Sequence, residues 1–120
     1  MKKLTLTLLT ILATAAAQAQ NERVYNDQFC ERMRGISEFH SPAQNVRIDC
    51  ITEDMVFETD YAHKWYEGFA QALYYSRISG KQAGILLILR KPSDIKFWNR
   101  LNDLIWYYDV PVKTYSVRAY

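Results

Sequence analysis

The sequence predicts an α/β fold in which a small mixed sheet is flanked by helices, in the order α-β-β-β-α-β-α-β. Residues 46–51 and 55–60 alternate between apolar and polar side chains, as half-buried strands do. The spacing of apolar residues becomes helical over 61–79, and residues 84–89 form a continuous apolar run typical of a strand covered on both faces. A helix between the third and fourth strands implies a partly parallel sheet.

The first helix is predicted over Asn21–Arg34, because apolar side chains recur on one helix face at Tyr25, Phe29 and Met33. Gly35 follows at the position where a helix would stop. We expect a short strand over Ile36–Phe39 and then a turn over 41–45, which is rich in residues that favour turns.

The second and third strands are expected to carry acids on one side. Strict alternation over 46–51 puts Val46, Ile48 and Cys50 on one side, and Arg47, Asp49 and Ile51 on the other. In the third strand, 55–60, the same rule places Glu58 and Asp60 together.

The second half of the chain is predicted to contain two helices and two strands. The helix over 61–79 ends at Gly80, and its core stripe is Ala62, Trp65, Phe69, Ala72, Leu73 and Ser76. Ser93 is expected to cap a helix running to about Tyr108, with Ile95, Trp98, Leu101, Leu104 and Ile105 facing inward. A closing strand follows over Val110–Val117, with Pro111 near its start.

The N-terminus has the pattern of a secretory signal peptide. Lys2 and Lys3 precede an uncharged, mostly apolar run over 4–17, and Ala17-Gln18-Ala19 supplies the small residues required for cleavage. We therefore expect residues 1–19 to be removed, leaving residues 20–120 as a single domain that is periplasmic or secreted. No later segment is apolar enough to predict a membrane span.

Export changes the charge balance. The chain has 15 Lys and Arg against 13 Asp and Glu, and loss of Lys2 and Lys3 leaves 13 of each, a net charge of zero. Binding to nucleic acid would therefore need a local basic patch rather than overall charge.

Two cysteines, Cys30 and Cys50, would meet an oxidising compartment after export. A disulfide between them is one reading, and it would stabilise the fold by about 3 kcal/mol. The other reading is a pair of small buried apolar side chains, because the sequence does not give the separation of the two residues.

The hairpin between the second and third strands carries the most informative residues. With Glu53-Asp54 as a two-residue turn, Asp49 lies opposite Glu58 and Arg47 lies opposite Asp60. Two opposed carboxylates repel each other, so a cation or a proton between them is needed. Oxygen ligands of this kind suit Mg²⁺ or Mn²⁺, whereas Arg47 and Asp60 are expected to form an ion pair.

The helix that follows adds a polar stripe beside its apolar face. At 100° per residue, this stripe contains Lys64, Gly68, Gln71 and Tyr75. Lys64 lies in the first turn, near the end of the strand that carries Asp60, so an ammonium and an amide can face the pocket of the acids.

These residues resemble the core of the PD-(D/E)XK, or restriction-endonuclease-like, superfamily, which also includes Holliday-junction resolvases. The resemblance implies a metal-dependent enzyme that hydrolyses phosphodiester bonds in DNA or RNA. It assigns the metal to Asp49, Glu58 and the backbone carbonyl of Thr59. It also matches Gln71 to a polar helix residue of many members and Glu38 to an acid that some members carry before the core.

One position departs from the superfamily pattern: Asp60 stands where the lysine two residues after the second acid is expected. Three alternatives follow, namely that Lys64 replaces that lysine, that Asp60 is a third metal ligand, or that the site is inactive. An inactive site would make the chain a nuclease-fold binding module that contacts another exported protein.

Overall fold

The computed structural model describes residues 22–120, and the predicted signal peptide, residues 1–19, lies outside them. The first helix, α1, includes residues 22–32. The remaining elements are β1 (Ile36–Ser41), β2 (Val46–Ile51), β3 (Met55–Tyr61), α2 (Trp65–Ser79), β4 (Gln82–Leu89), α3 (Ile95–Tyr108) and β5 (Val112–Arg118). Within this described part, no helix has both the length and the apolar character needed to cross a membrane.

The strands form one mixed sheet in the order β1-β2-β3-β4-β5. The pairs β1–β2 and β2–β3 are antiparallel, whereas β3–β4 and β4–β5 are parallel, which confirms the predicted α/β class and element order. Because β3, β4 and β5 are parallel, they end at the same edge of the sheet, at Tyr61, Leu89 and Arg118. We call this the carboxyl edge.

The helices cover both faces of the sheet. In β4, Ile85 and Leu87 pack with α2 and α3, whereas Leu86 packs with Phe29 of α1 on the opposite face. This double coverage explains the continuous apolar run of β4, since both of its faces are removed from water.

The start of α3 differs from the prediction. A 3-10 turn, Pro92–Asp94, precedes the helix, and no side chain caps it, so the capping role predicted for Ser93 is wrong. The carboxylate of Asp94 is buried and accepts a hydrogen bond from the backbone N–H of Arg90 at 2.9 Å. Ile95 is the first residue of α3, and its side chain is exposed. It is therefore not part of the inward face of the helix, contrary to the prediction.

The predicted alternation of β2 is interrupted at Asp49. Cys50 packs with Phe29 of α1, but Ile48 packs with Tyr75 of α2, so the two residues lie on opposite faces rather than on one. The β1–β2 pairing has the same register before and after Asp49, with Phe39 opposite Ile48 and Ser37 opposite Cys50.

The interruption coincides with a left-handed residue in β1. Glu38, which lies opposite Asp49, has a φ of 51°. A non-glycine residue in this region is uncommon and costs about 1–3 kcal/mol, and such residues cluster at functional sites. The sides of β2 reverse at this position, and the β2–β3 ladder ends next to it, at Cys50 and Phe57.

A disulfide joins Cys30 of α1 to Cys50 of β2, with a Cα–Cα distance of 5.7 Å, so the disulfide reading of these cysteines is confirmed. Both residues are buried. A Cβ atom at Gly35 would lie 2.7 Å from the sulfur of Cys50 and 2.9 Å from that of Cys30, which explains the glycine at this turn.

Replacing Cys30 and Cys50 together by alanine should lower the free energy of unfolding by about 3 kcal/mol, because a 20-residue loop is no longer closed in the unfolded chain. Urea unfolding of the two proteins measures this difference. A reductant should destabilise the wild type to the level of the double variant and leave the double variant unchanged. Equal stability of both proteins under oxidising conditions would contradict the prediction.

Candidate functional site

Asp49 of β2 and Glu58 of β3 form the centre of the site, and we call them the acid pair. The β2–β3 register has the predicted pairs Cys50 with Phe57 and Ile51 with Val56, and the ladder ends there, one residue short of Asp49 and Glu58. The two carboxyl groups share a hydrogen bond. The backbone N–H of Thr59 donates to Asp49 Oδ2 at 2.9 Å, so a side chain takes the place of the regular strand ladder here.

Glu58 is buried, with 6% of its surface exposed, and no N–H or O–H donor of the described residues reaches its Oε2. Burial raises the pKa of Glu58 to about 10, with further contributions from the charges of Asp49, Asp60 and Glu22. In the absence of a cation, Glu58 therefore carries a proton at neutral pH and donates it to Asp49. The acid pair needs either that proton or a bound cation.

Asp60 lies one residue beyond Thr59 and is also buried. Burial raises its pKa to about 7, Glu22 adds to the rise, and the ammonium of Lys64 opposes it. The side chain packs against Gly68 of α2, where an added Cβ would lie 3.3 Å from Asp60 Cβ. The glycine lets the helix approach the acids closely.

The residues of the predicted polar stripe of α2 differ in burial. Tyr75 is buried, and burial together with the charge of Glu58 raises its pKa to about 12. Lys64 immediately precedes α2 and is exposed, and its charge acts on both Asp60 and Glu22. Gln71 is exposed to solvent.

Sequence reasoning missed two residues of α1 that reach the site. Asn26 is buried, and its side chain donates to the backbone carbonyl of Asp49 at 2.8 Å and accepts from the hydroxyl of Thr59 at 2.6 Å. Glu22 lies one turn earlier, and burial and the charge of Asp49 raise its pKa. The available signal was the spacing of four residues that puts both on the helix stripe of Cys30, which the disulfide holds beside β2.

A pocket of about 200 Å³ opens between α1 and the first three strands, and its lining includes Asp49, Thr59 and Glu38. Glu38 pairs with Arg23 at 3.3 Å. Arg47 lines the same pocket, so the predicted ion pair between Arg47 and Asp60 is wrong; it is not formed. The physical reason is that the β2–β3 ladder ends at Cys50 and Phe57 and does not carry Arg47 to a position opposite Asp60.

The acid pair fits a divalent cation in its chemistry, since its donors are oxygen atoms and Glu58 Oε2 is buried without a donor. Between residues 22 and 120, however, no three Asp, Glu, His or Cys side chains come together as a preformed ligand set. A cation held by only two carboxylates completes its shell with water or backbone oxygen, which is the usual behaviour of Mg²⁺.

No protein-family model, curated protein or solved structure matches this chain. The likeness to the PD-(D/E)XK superfamily therefore remains a resemblance in element order and in a few residues. Function has to be inferred from the chemistry of the site itself.

Proposed function

We propose that the chain is an exported, metal-dependent nuclease that hydrolyses phosphodiester bonds in DNA or RNA. The observation that carries the proposal is the acid pair: Glu58 is buried against Asp49 with one oxygen that finds no donor among the described residues. Neighbouring acids make a charged Glu58 unfavourable here, so that the pair needs either a proton or a bound cation. The proposed restriction-endonuclease-like core rests on the same residues and on the order of elements.

In this proposal Asp49, Glu58 and the backbone carbonyl of Thr59 hold Mg²⁺ or Mn²⁺. When bound, the metal lowers the pKa of a water molecule and stabilises the charge that develops on phosphate. The N–H of Thr59 already points toward β2, and the carbonyl of an extended residue points to the same neighbouring strand. Gln71 would orient substrate or water from its exposed position on α2.

Lys64 is proposed to replace the missing lysine of the superfamily pattern. Its ammonium acts on Asp60 and Glu22, so it lies near the acids, and it is exposed toward an incoming substrate. Asp60 then acts as an auxiliary acid, because a pKa of about 7 lets it both hold and release a proton at neutral pH. The two roles are complementary: the ammonium of Lys64 stabilises the negative charge of the reacting phosphate, and Asp60 beside it exchanges protons.

Export is supported by the disulfide and by the signal pattern of residues 1–19. Disulfides persist in oxidising compartments such as the periplasm and the extracellular space. The Cys30–Cys50 bond also anchors α1, which supplies Asn26 and Glu22 to the site.

The test is cleavage of labelled DNA and RNA by purified residues 20–120. We expect products with Mg²⁺ or Mn²⁺ and none with a chelator, because the acid pair alone provides no activated water. Titration with Mn²⁺ in a calorimeter should give saturable binding to one site. Failure to cut either nucleic acid with either metal would contradict the nuclease proposal.

A second candidate function, an inactive binding module for another exported protein, is favoured by the exposed aromatic residues at the end of α3. Trp106 is 83% exposed, and Tyr107 and Tyr108 are exposed beside it. Large exposed aromatic side chains are enriched in protein interfaces. Calorimetry separates the two functions, since the module requires no binding of Mn²⁺ at the acid pair.

A further inference from the structure

Arg90, which directly follows β4 at the carboxyl edge, is held in place at both ends. Its backbone N–H donates to the buried carboxylate of Asp94 at 2.9 Å. Its guanidinium lies over the ring of Tyr61, 4.6 Å from the centroid, and its Nη2 is 3.1 Å from Nδ1 of His63. The ring of His63 in turn stacks with that of Tyr61. The arginine is therefore ordered before any ligand arrives.

The contact with Arg90 determines the proton position on His63. A guanidinium only donates hydrogen bonds, so Nδ1 of His63 is the acceptor and the proton of the neutral ring is on Nε2. Partial burial lowers the pKa of His63, and the charges of Arg90 and Lys64 lower it further, against the opposing effect of Asp94 and Glu67. The exposed ring thus offers an N–H donor.

Neither Arg90 nor Lys64 forms an ion pair with a carboxylate of the described residues, although the charge of Lys64 acts on Asp60 and Glu22. The ion pairs of residues 22–120 both use Arg23, on the other side of the site. The Asp94 carboxylate is occupied by the backbone of Arg90 and lies buried beneath it. An ordered guanidinium without a protein counter-ion is suited to an anion that it can bind through two parallel hydrogen bonds.

We propose that Arg90, His63 and Lys64 form a binding site for a backbone phosphate of the nucleic-acid strand, next to the phosphate that lies at the acid pair. The inference rests on the proposed function, because Lys64 borders both sites and Tyr61 directly follows Asp60 in β3. The site also supplies the local basic patch that residues 20–120, with a net charge of zero, need to bind nucleic acid.

The test measures binding without cleavage, by fluorescence anisotropy of a labelled single-stranded DNA oligonucleotide with residues 20–120 in a chelator. Arg90→Met should weaken binding about tenfold. It should also reduce the slope of log affinity against log salt by about 0.7, the value for one phosphate contact on a single strand. Arg90→Lys keeps the positive charge but loses the two parallel N–H donors of the guanidinium, so its affinity should lie between those of the wild type and Arg90→Met.

Arg77→Met is the matched control. It removes the same charge from an exposed arginine in the last turn of α2, at the opposite edge of the sheet, and should leave affinity and salt slope unchanged. Equal losses in both variants, or no loss in Arg90→Met, would overturn the inference. Binding that depends on Arg90 in a protein that never cleaves supports the phosphate site and refutes only the catalytic proposal.

Discussion

Replacing Glu58 by glutamine is expected to abolish metal-dependent cleavage and, at the same time, to make the metal-free protein more stable. The activity falls because the amide replaces a charged metal ligand. Loss of an outer-shell partner already costs about 10–100-fold, so loss of a direct ligand should exceed 100-fold. The stability rises because the variant no longer has to keep a buried acid protonated beside Asp49, Asp60 and Glu22.

Cleavage rates and urea unfolding of the same preparations measure both effects. Glu53→Gln is the matched control, because Glu53 is an exposed acid in the hairpin turn, at the far end of β3. It should match the wild type in activity and stability. Cleavage by Glu58→Gln at the wild-type rate would remove Glu58 from the metal site, and a loss of stability in the chelator would contradict the account of its burial.

The combination of opposite effects distinguishes a functional acid from a structural one. A carboxylate kept for packing or hydrogen bonding would destabilise the fold when replaced. A carboxylate kept for function can be unfavourable for the fold, since strained or unsatisfied groups persist where the site needs them. Glu58, with a buried oxygen that no donor in residues 22–120 reaches, belongs to the second description.

The hairpin of β2 and β3 could be predicted from the sequence because its signals are local. Alternation has a period of two, and the two-residue turn at Glu53-Asp54 fixes the register. Together they predict the observed pairing of Cys50 with Phe57, which lies next to the acid pair. Helix spacing likewise identified α2 and the glycine at its end, Gly80, which is left-handed with a φ of 71°.

The rest of the site depends on contacts that no local pattern records. The left-handed conformation of Glu38 coincides with a reversal of sides in β2, and only the fold shows that Ile48 and Cys50 separate there. Packing of α1 against the sheet brings Asn26 to Asp49.

The cluster of Arg90, Tyr61 and His63 has a similar origin. Parallel pairing of β3 with β4 brings residues nearly thirty positions apart to one edge of the sheet. The sequence does not single out His63 or Arg90, because neither residue has a partner at a spacing that defines a known site.

The stability of the metal-free protein should fall as pH rises, and this is the second large effect. The unfolded chain releases the Glu58 proton near pH 4.5, whereas the folded protein holds it to about pH 10. The stabilisation is therefore complete below the unfolded pKa and is lost progressively between the two values, at up to about 1.4 kcal/mol per pH unit. Asp60 adds to the fall mainly between pH 3.8 and about pH 7, and its contribution ends about one pH unit higher.

The range above about pH 8 isolates Glu58, because Asp60, with a pKa of about 7, has lost most of its protons by then. From about pH 8 to about pH 9, urea unfolding in a chelator should show wild-type stability falling by up to about 1.4 kcal/mol, while Glu58→Gln stays nearly constant. Mn²⁺ replaces the proton, so the stabilisation that it gives the wild type should grow over the same range and be absent from Glu58→Gln. The same pH profile in both proteins would mean that Glu58 is already ionised in the native metal-free protein. The site would then tolerate both negative charges, and the argument that it needs a cation would fail.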